Sequence, residues 1–178
     1  KWSSMSQGRL QAADEAVKWL QERDIAVRGH CLLWGAYRHL PGSLRELRGQ
    51  ELHEACKQHV TDYADRMKGR LYLWDVVNEA GSNTQLWDEI GWEAFADSFR
   101  WARAADPDVE LCYNDYGILR DDRAYKEKVA KRIQYLLDND APVQVLGLQA
   151  HMGLPFTPIH RVLELMDEWA EFGLPLEN

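Results

Sequence analysis

The sequence predicts an α/β protein built as a (β/α)8 TIM barrel. Short β-branched and aromatic runs alternate with stretches whose apolar residues recur at helical spacing, which is typical of parallel strands joined by helices. No GxGxxG or GxxxxGK[ST] motif opens a helix, which weakens the main alternative, a doubly wound nucleotide-binding sheet. Polar residues gather where the predicted strands end, and barrel sites are built from residues in that position.

The elements follow in regular order. The predicted strands share short apolar runs and lie at 25–34, 71–77, 109–116 and 143–151, with the tail of another at Lys1-Trp2 and the start of a further one at 174–177. The predicted helices carry apolar residues at helical spacing and lie at 10–23, 52–67, 95–102, 125–136 and 159–170. Gly69 and Gly173 are placed to end the helices that precede them. We expect residues 81–90 to form a polar loop that holds Trp87.

Bulk properties exclude several functions. A chain of 178 residues predicts a single domain over residues 1–178. Its net charge of −8 argues against a nucleic-acid or anionic-membrane partner, because both bind basic patches. No apolar run is long enough to span a bilayer. Cys31, Cys56 and Cys112 form no CxxC pair, so we expect buried thiols and no metal site.

The stretch from Leu71 to Ala80 organises the rest of the chain. It begins as a buried strand and ends in Asn78 and Glu79. A carboxylate at the mouth of an apolar strand is costly unless it is used, and here it is suited to donate a proton. A solvated or helix-capping Glu is the usual alternative, but that alternative leaves the neighbouring Asn78 unexplained.

Residues 74–80, Trp-Asp-Val-Val-Asn-Glu-Ala, resemble the acid/base motif of the family 10 glycoside hydrolases, chiefly endo-β-1,4-xylanases. Arg-Gly-His at 28–30, Asn-Asp-Tyr at 114–116 and Gly-Leu-Gln-Ala-His at 147–151 resemble further segments of that family in the same order. The resemblance covers essentially the whole chain. It implies retaining hydrolysis within xylan or xylo-oligosaccharides, no cofactor, and an extracellular location, since the family is mostly secreted.

The resemblance also implies roles for individual residues. Glu79 would be the general acid/base, and Asn78 would bind the 2-hydroxyl of the sugar at the cleaved bond. The other implied substrate-binding residues are Lys1, His30, Trp34, Tyr116, Gln149 and His151. Asn114 would support the acid/base, and Asp75 is expected to be a buried hydrogen-bonding group.

Simpler structural roles remain open for parts of this set. His30 and Trp34 could be a satisfied core histidine and a core tryptophan, and Arg28 a buried ion-pair partner. Gln149 and His151 are two residues apart in the predicted strand, so we expect them on one face.

Two features depart from the family pattern. After Trp34 the family usually shows His-Ser-Gln, whereas this chain has Gly-Ala-Tyr at 35–37, which leaves the exact sugar preference open. The family nucleophile is a Glu in an Ile-Thr-Glu segment after Gly-Leu-Pro. Here Gly-Leu-Pro-Leu-Glu-Asn at 173–178 contains no such segment. Glu177 matches the variable residue that precedes Ile-Thr-Glu in the family, so the nucleophile role is not assigned to it.

By this resemblance only about strands 2–7 of the barrel are represented. Three explanations stay open: a part of a larger molecule, an engineered fragment that needs a complementing chain segment, and a natural remnant that no longer cleaves. The retained Glu79 favours an enzyme, whereas the missing nucleophile favours an inactive fragment or a non-hydrolytic carbohydrate-binding or scaffold protein. A doubly wound hydrolase using His30 or His151 ranks last, because no GxSxG elbow is present.

Overall fold

The structure of the protein is a computed structural model that describes residues 7–151 and 156–178. In this part of the chain strands and helices alternate as the sequence predicts. The strands are β1 (Arg28–Trp34), β2 (Leu73–Asn78), β3 (Glu110–Tyr116), β4 (Val145–Gln149) and β5 (Leu176–Glu177). The helices are α1 (Gln7–Gln21), α2 (Gly49–Arg66), α3 (Gln85–Ile90), α4 (Glu93–Ala105), α5 (Arg123–Asp138) and α6 (Ile159–Ala170), with 3-10 turns at Tyr37–His39 and Gly42–Leu44.

The strands form one parallel sheet whose spatial order, β1-β2-β3-β4-β5, is also the chain order. A doubly wound sheet reverses its strand order at a switch point, and this sheet has no reversal. Five consecutive strands of this kind are an arc of a (β/α)8 barrel. The barrel prediction is therefore confirmed for the described residues, whereas the strand tail predicted at Lys1-Trp2 lies outside them.

The main core lies between the outer face of the sheet and the helices that cover it. Phe95 and Phe99 of α4 are fully buried, and Phe95 meets Tyr113 of β3 edge to face with ring centroids 5.8 Å apart. The three cysteines are buried, as the sequence predicts. Within residues 7–151 and 156–178, no helix has the length and apolar character that a membrane crossing requires.

The inner face of the arc is polar because β2 departs from a regular strand. Asp75 and Asn78 are three residues apart, so a regular strand would point them to opposite faces. The β2–β3 register shifts between Asp75 and Val77, which is the effect of a bulge. Both side chains consequently turn inward, where Asp75 bonds Arg28 and Asn78 bonds Asn114.

The structure corrects two details of the sequence prediction. Residues 81–90 are not all loop, because α3 forms there and buries Leu86 and Trp87 completely. His151 is not in a strand, since its N–H turns back to the carbonyl of Gln149 at 2.9 Å and the β3–β4 ladder ends at Gln149. The expectation that Gln149 and His151 share one strand face is therefore wrong.

Candidate active site

The floor of the candidate site is an ion pair inside the barrel arc. Asp75 is 2% exposed, and its Oδ1 accepts hydrogen bonds from Arg28 Nη2 at 2.7 Å and Nε at 3.1 Å. Its Oδ2 lies 2.8 Å from His30 Nδ1. One carboxylate thus fixes two side chains of β1 at once. Asp75 is the buried hydrogen-bonding group that the sequence predicted, and Arg28 is its ion-pair partner.

Three amides form the next layer toward the carboxyl ends of the strands. Asn78 Oδ1 accepts hydrogen bonds from Asn114 Nδ2 at 3.0 Å and from Gln149 Nε2 at 2.9 Å. These two donors fix the orientation of the Asn78 amide, since only its oxygen can accept them. Its buried Nδ2 group is a donor and has no partner among the described residues. A buried amide held in a fixed orientation with an unused N–H is suited to bind a hydroxyl oxygen of a ligand.

Glu79 follows directly at the end of β2, and its backbone is held in an unusual conformation. Its φ of 58° lies in the left-handed region, which costs free energy for a residue with a side chain. The backbone N–H of Glu79 donates to the carbonyl of Asn114 at 2.8 Å. Oε2 of Glu79 accepts a hydrogen bond from Nδ2 of Asn83 at 3.2 Å. Glu79 is half-buried, and its carboxylate is anchored at one oxygen.

A cleft of about 480 Å³ opens above this carboxylate. Its lining residues lie at or just after the carboxyl ends of four strands, β1 to β4: Arg38, Glu79, Ser82, Asn83, Tyr116 and His151. Tyr116 is half-buried and packs against Tyr125, with ring centroids 4.9 Å apart. Although His151 is exposed and outside β4, it still lines the same cleft as Glu79.

An aromatic pair lies beside His30 on β1. The ring of Trp34 stacks on that of His39 with centroids 3.6 Å apart, and it meets the His30 ring edge-on at 6.3 Å. The His30 side chain is 39% exposed, so it is not a core histidine. Trp34 is partly exposed as well, and one face of its ring is covered by His39.

A second carboxylate, Asp115 of β3, supports the segment after Glu79 from beneath. Its Oδ2 accepts the N–H of Gly81 at 3.0 Å and the hydroxyl of Tyr113. Its Oδ1 accepts the N–H of Tyr116 at 2.8 Å and the hydroxyl of Tyr125 at 2.6 Å. Burial raises the pKa of Asp115 to about 6, against these four hydrogen bonds, which lower it.

Of the residues that the sequence singled out, the structure places Glu79, Tyr116 and His151 in one cleft and Asp75, His30, Asn78, Asn114 and Gln149 in one hydrogen-bonded network, with Trp34 beside His30. Lys1 lies outside the described part of the chain. Arg38, Ser82 and Asn83 line the cleft but were not predicted. Arg38 lies four residues after Trp34, and Ser82 and Asn83 lie three and four residues after Glu79. In these connecting segments no periodic pattern marks an inward side chain. The one available signal was the departure from the family pattern that begins at Gly35.

Glu177 has a different environment from Glu79. Its carboxylate accepts a hydrogen bond from the hydroxyl of Tyr72 and lies 3.7 Å from Nη1 of Arg28. It is therefore paired with the floor of the site. Within the described residues, no three His, Cys, Asp or Glu side chains are grouped so that they could hold a metal ion.

The arc of parallel strands, with polar side chains converging at the strand ends and a half-buried Glu in a cleft, has the form of a (β/α)8-barrel active site. The model of glycosyl hydrolase family 10 matches residues 1–177, and the chain belongs to that family. It is 31% identical over 173 residues to a β-1,4-xylanase of Dictyoglomus thermophilum, an alignment that covers 93% of this chain and 48% of that protein. It is also 31% identical to endo-1,4-β-xylanase B of Thermotoga neapolitana, over 99% of this chain and 54% of that protein.

Solved structures agree with the sequence comparison. Xylanase 10B of Thermotoga petrophila RKU-1 in complex with xylobiose superposes with a TM-score of 0.87 at 31% identity, over 99% of this chain and 57% of that one. Native xylanase 10B of Thermotoga maritima gives a TM-score of 0.83 at 33% identity, over 92% of this chain and 52% of that one. The chain spans about half the length of these relatives.

Proposed function

We propose that the protein carrying these residues hydrolyses β-1,4-xylosidic bonds within xylan, with retention of configuration and with Glu79 as general acid/base. The observation that carries the proposal is the position of Glu79, whose half-buried carboxylate lines a cleft at the carboxyl end of β2 together with Tyr116 and His151. Xylanase relatives over essentially the whole chain support xylan as the substrate.

The proposed chemistry begins when Glu79 protonates the oxygen that joins two xylose units. The bond between that oxygen and the anomeric carbon breaks, and a second carboxylate attacks the carbon to form a glycosyl-enzyme. Glu79 then removes a proton from a water molecule whose oxygen attacks the anomeric carbon, the bond to the second carboxylate breaks, and the sugar is released with that carboxylate restored. Asn78 contributes its unused Nδ2–H to the 2-hydroxyl of the sugar, an interaction that strengthens in the transition state.

The second carboxylate is the family nucleophile, and residues 1–178 contain no Ile-Thr-Glu segment to supply it. This observation favours a second candidate function for residues 1–178 alone, which is xylan binding without cleavage. The pairing of Glu177 with Arg28 and Tyr72 supports leaving the nucleophile role unassigned in this chain.

The test combines an intact-mass measurement on the natural gene product with proton NMR of xylohexaose during digestion. We expect cleavage that first yields the β-anomer, from a polypeptide heavier than 20.7 kDa. Initial release of the α-anomer would contradict retention. Efficient cleavage by a chain of 20.7 kDa would contradict the need for a nucleophile outside residues 1–178.

Glu79→Gln separates the two candidate functions. An enzyme loses turnover with this variant, whereas a binding protein keeps its affinity and has no turnover to lose. Calorimetric titration of wild-type protein and variant with xylohexaose therefore belongs beside the activity assay.

A further inference from the structure

We infer that Asn83, itself fixed by Arg38, positions the Glu79 carboxyl so that its transferable proton resides on Oε1. This inference rests on the proposed function, because it assigns a role in the proton transfer from Glu79. Three side chains from two loops carry it, and each contact has a defined donor and acceptor.

The first step concerns the orientation of the Asn83 amide. Nη2 of Arg38 donates a hydrogen bond to Oδ1 of Asn83 at 3.2 Å. A guanidinium has N–H donors and no acceptor, so the amide atom that faces Arg38 must be the oxygen. The atom that faces Glu79 is then Nδ2. Arg38 therefore determines which end of the amide reaches the carboxylate.

The second step concerns the two oxygens of Glu79. Nδ2 of Asn83 is a donor only, and it lies 3.2 Å from Oε2 of Glu79, 3.1 Å from Oγ of Ser82 and 3.3 Å from the carbonyl oxygen of Glu79. The carbonyl oxygen of a protonated carboxyl accepts a hydrogen bond better than its hydroxyl oxygen does, so the bond from Asn83 to Oε2 favours the proton on Oε1. Oε1 then delivers the proton, and its O–H bond breaks as the glycosidic oxygen takes up the proton and the electron pair of its broken bond.

The third step concerns what holds the two loops together. Asn83 is only 7% exposed, and its backbone N–H donates to the carbonyl of Glu79 at 2.9 Å. A Cβ at position 35 would lie 2.0 Å from the carbonyl oxygen of Asn83, so a glycine is required for this approach. The N–H of Leu86 also donates to the carbonyl of Gly35 at 2.8 Å. Gly35 lies where the chain departs from the family pattern, and the departure allows the contact.

The guanidinium of Arg38 is held on its other side as well. Its Nε donates to Nε2 of His39 at 3.2 Å, and the His39 ring stacks on Trp34. The chain of contacts therefore runs from the aromatic pair through Arg38 and Asn83 to the acid/base. A positioning residue at the end of such a chain affects proton donation more than it affects substrate binding.

The test uses a series of aryl β-xylobiosides that share the same sugar and differ in leaving-group acidity. An acidic dinitrophenol leaves without a proton, whereas a phenol requires one. For Asn83→Leu we expect kcat/KM to fall about 10- to 100-fold with phenyl xylobioside and less than about threefold with the dinitrophenyl compound. Arg38→Met should show the same trend with a smaller loss, and Arg38→Lys should restore it, because lysine also only donates.

Arg48→Met is the matched control, since the Arg48 guanidinium donates to the backbone carbonyls of Arg45 and Leu47 and lies over the Tyr37 ring, away from the contact between Arg38 and Asn83. We expect it to leave both substrates unaffected. An equal loss on all leaving groups would overturn the inference and leave the proposed function intact. If the wild-type protein cleaves no xylobioside at all, the proposed function fails instead.

A second measurement tests the contact without turnover. In the nitrogen–proton spectrum, the two Nδ2 protons of Asn83 should have well-separated shifts in the wild-type protein, because one of them is bonded to a carboxylate. Glu79→Gln and Arg38→Met should each reduce that separation, and Arg48→Met should not. Unchanged Asn83 signals in Glu79→Gln would overturn the inference regardless of activity.

Discussion

Two carboxylates at the ends of neighbouring strands have opposite environments. Asp115 of β3 is fully buried, and each of its oxygens accepts one backbone N–H and one tyrosine hydroxyl. Glu79 of β2 is half-buried, lines the cleft and has Oε2 anchored to Asn83. A saturated, buried carboxylate is suited to hold structure, whereas one with a free face is suited to exchange a proton with a ligand.

The difference matters because sequence alone does not separate the two roles. Glu79 directly follows β2 and Asp115 is the second-last residue of β3, and each directly follows an asparagine, Asn78 and Asn114 respectively. Burial and the number of hydrogen-bond donors distinguish them. We therefore expect activity to depend on Glu79 and stability to depend on Asp115.

The largest expected effect is on activity. Glu79→Gln keeps the size of the side chain and its bond from Asn83 but removes the acid. We expect kcat/KM for xylohexaose to fall about 10²- to 10⁴-fold, with a change in the free energy of unfolding below about 0.5 kcal/mol. Initial rates and urea unfolding check this pair of results. A large loss of stability with intact activity would reverse the assignment of the two carboxylates.

Asp115→Asn should have the opposite effect and reduce stability. The backbone N–H groups of Gly81 and Tyr116 donate to different oxygens of Asp115. An asparagine has one oxygen, so its NH2 group must face one of these donors and leave it unsatisfied. We expect a loss of about 2 to 3 kcal/mol in the free energy of unfolding, measured in urea. A loss below about 0.5 kcal/mol would show that the site tolerates an unpaired donor.

The sequence predicted the fold better than the details of the site. Strand and helix alternation at fixed spacing predicted β1 to β4 and all helices except α3, because those elements bury a whole apolar face. The short α3 has only six residues, which is too few for a helical repeat of apolar positions to be recognised. Its burial comes from Leu86 and Trp87 packing against distant residues, which local spacing does not encode.

The same limit applies to the site. Glu79 and Asn78 were predictable because both belong to one short motif at the end of a strand. Arg38 and Asn83 meet across 45 positions of the chain and lie in loops, so nothing local links them. His151 was assigned to the wrong backbone conformation because the end of β4 depends on where its partner β3 ends. Loop contacts and strand ends are properties of the assembled sheet.

Stability should also depend on pH through Asp115. Its pKa is about 6 in the folded state against 3.8 for an ordinary aspartate. A raised pKa means that the folded state binds the proton more tightly than the unfolded state, so the stabilisation is complete below about pH 4 and lost as pH rises through 6. A shift of this size corresponds to roughly 3 kcal/mol.

Urea unfolding of wild-type protein and Asp115→Asn at intervals from pH 4 to pH 8 checks this prediction. Because position 115 does not titrate in the variant, the difference between the two free energies isolates this carboxyl from all others. We expect that difference to shrink as pH rises through about 6. A difference independent of pH would show that the carboxyl keeps an ordinary pKa despite its burial.

The smallest effect should come from crowding the Asp115 site. A Cβ at position 81 would lie 2.9 Å from Cγ2 of Val129, 3.0 Å from the Tyr125 hydroxyl and 3.1 Å from Oδ2 of Asp115. We expect Gly81→Ala to cost about 1 kcal/mol in urea unfolding, because these neighbours must shift. Gly42→Ala is the control, since its Cβ would meet no atom within 4 Å. If Gly81→Ala is as stable as the control, the support beneath Glu79 is more deformable than its hydrogen bonds indicate.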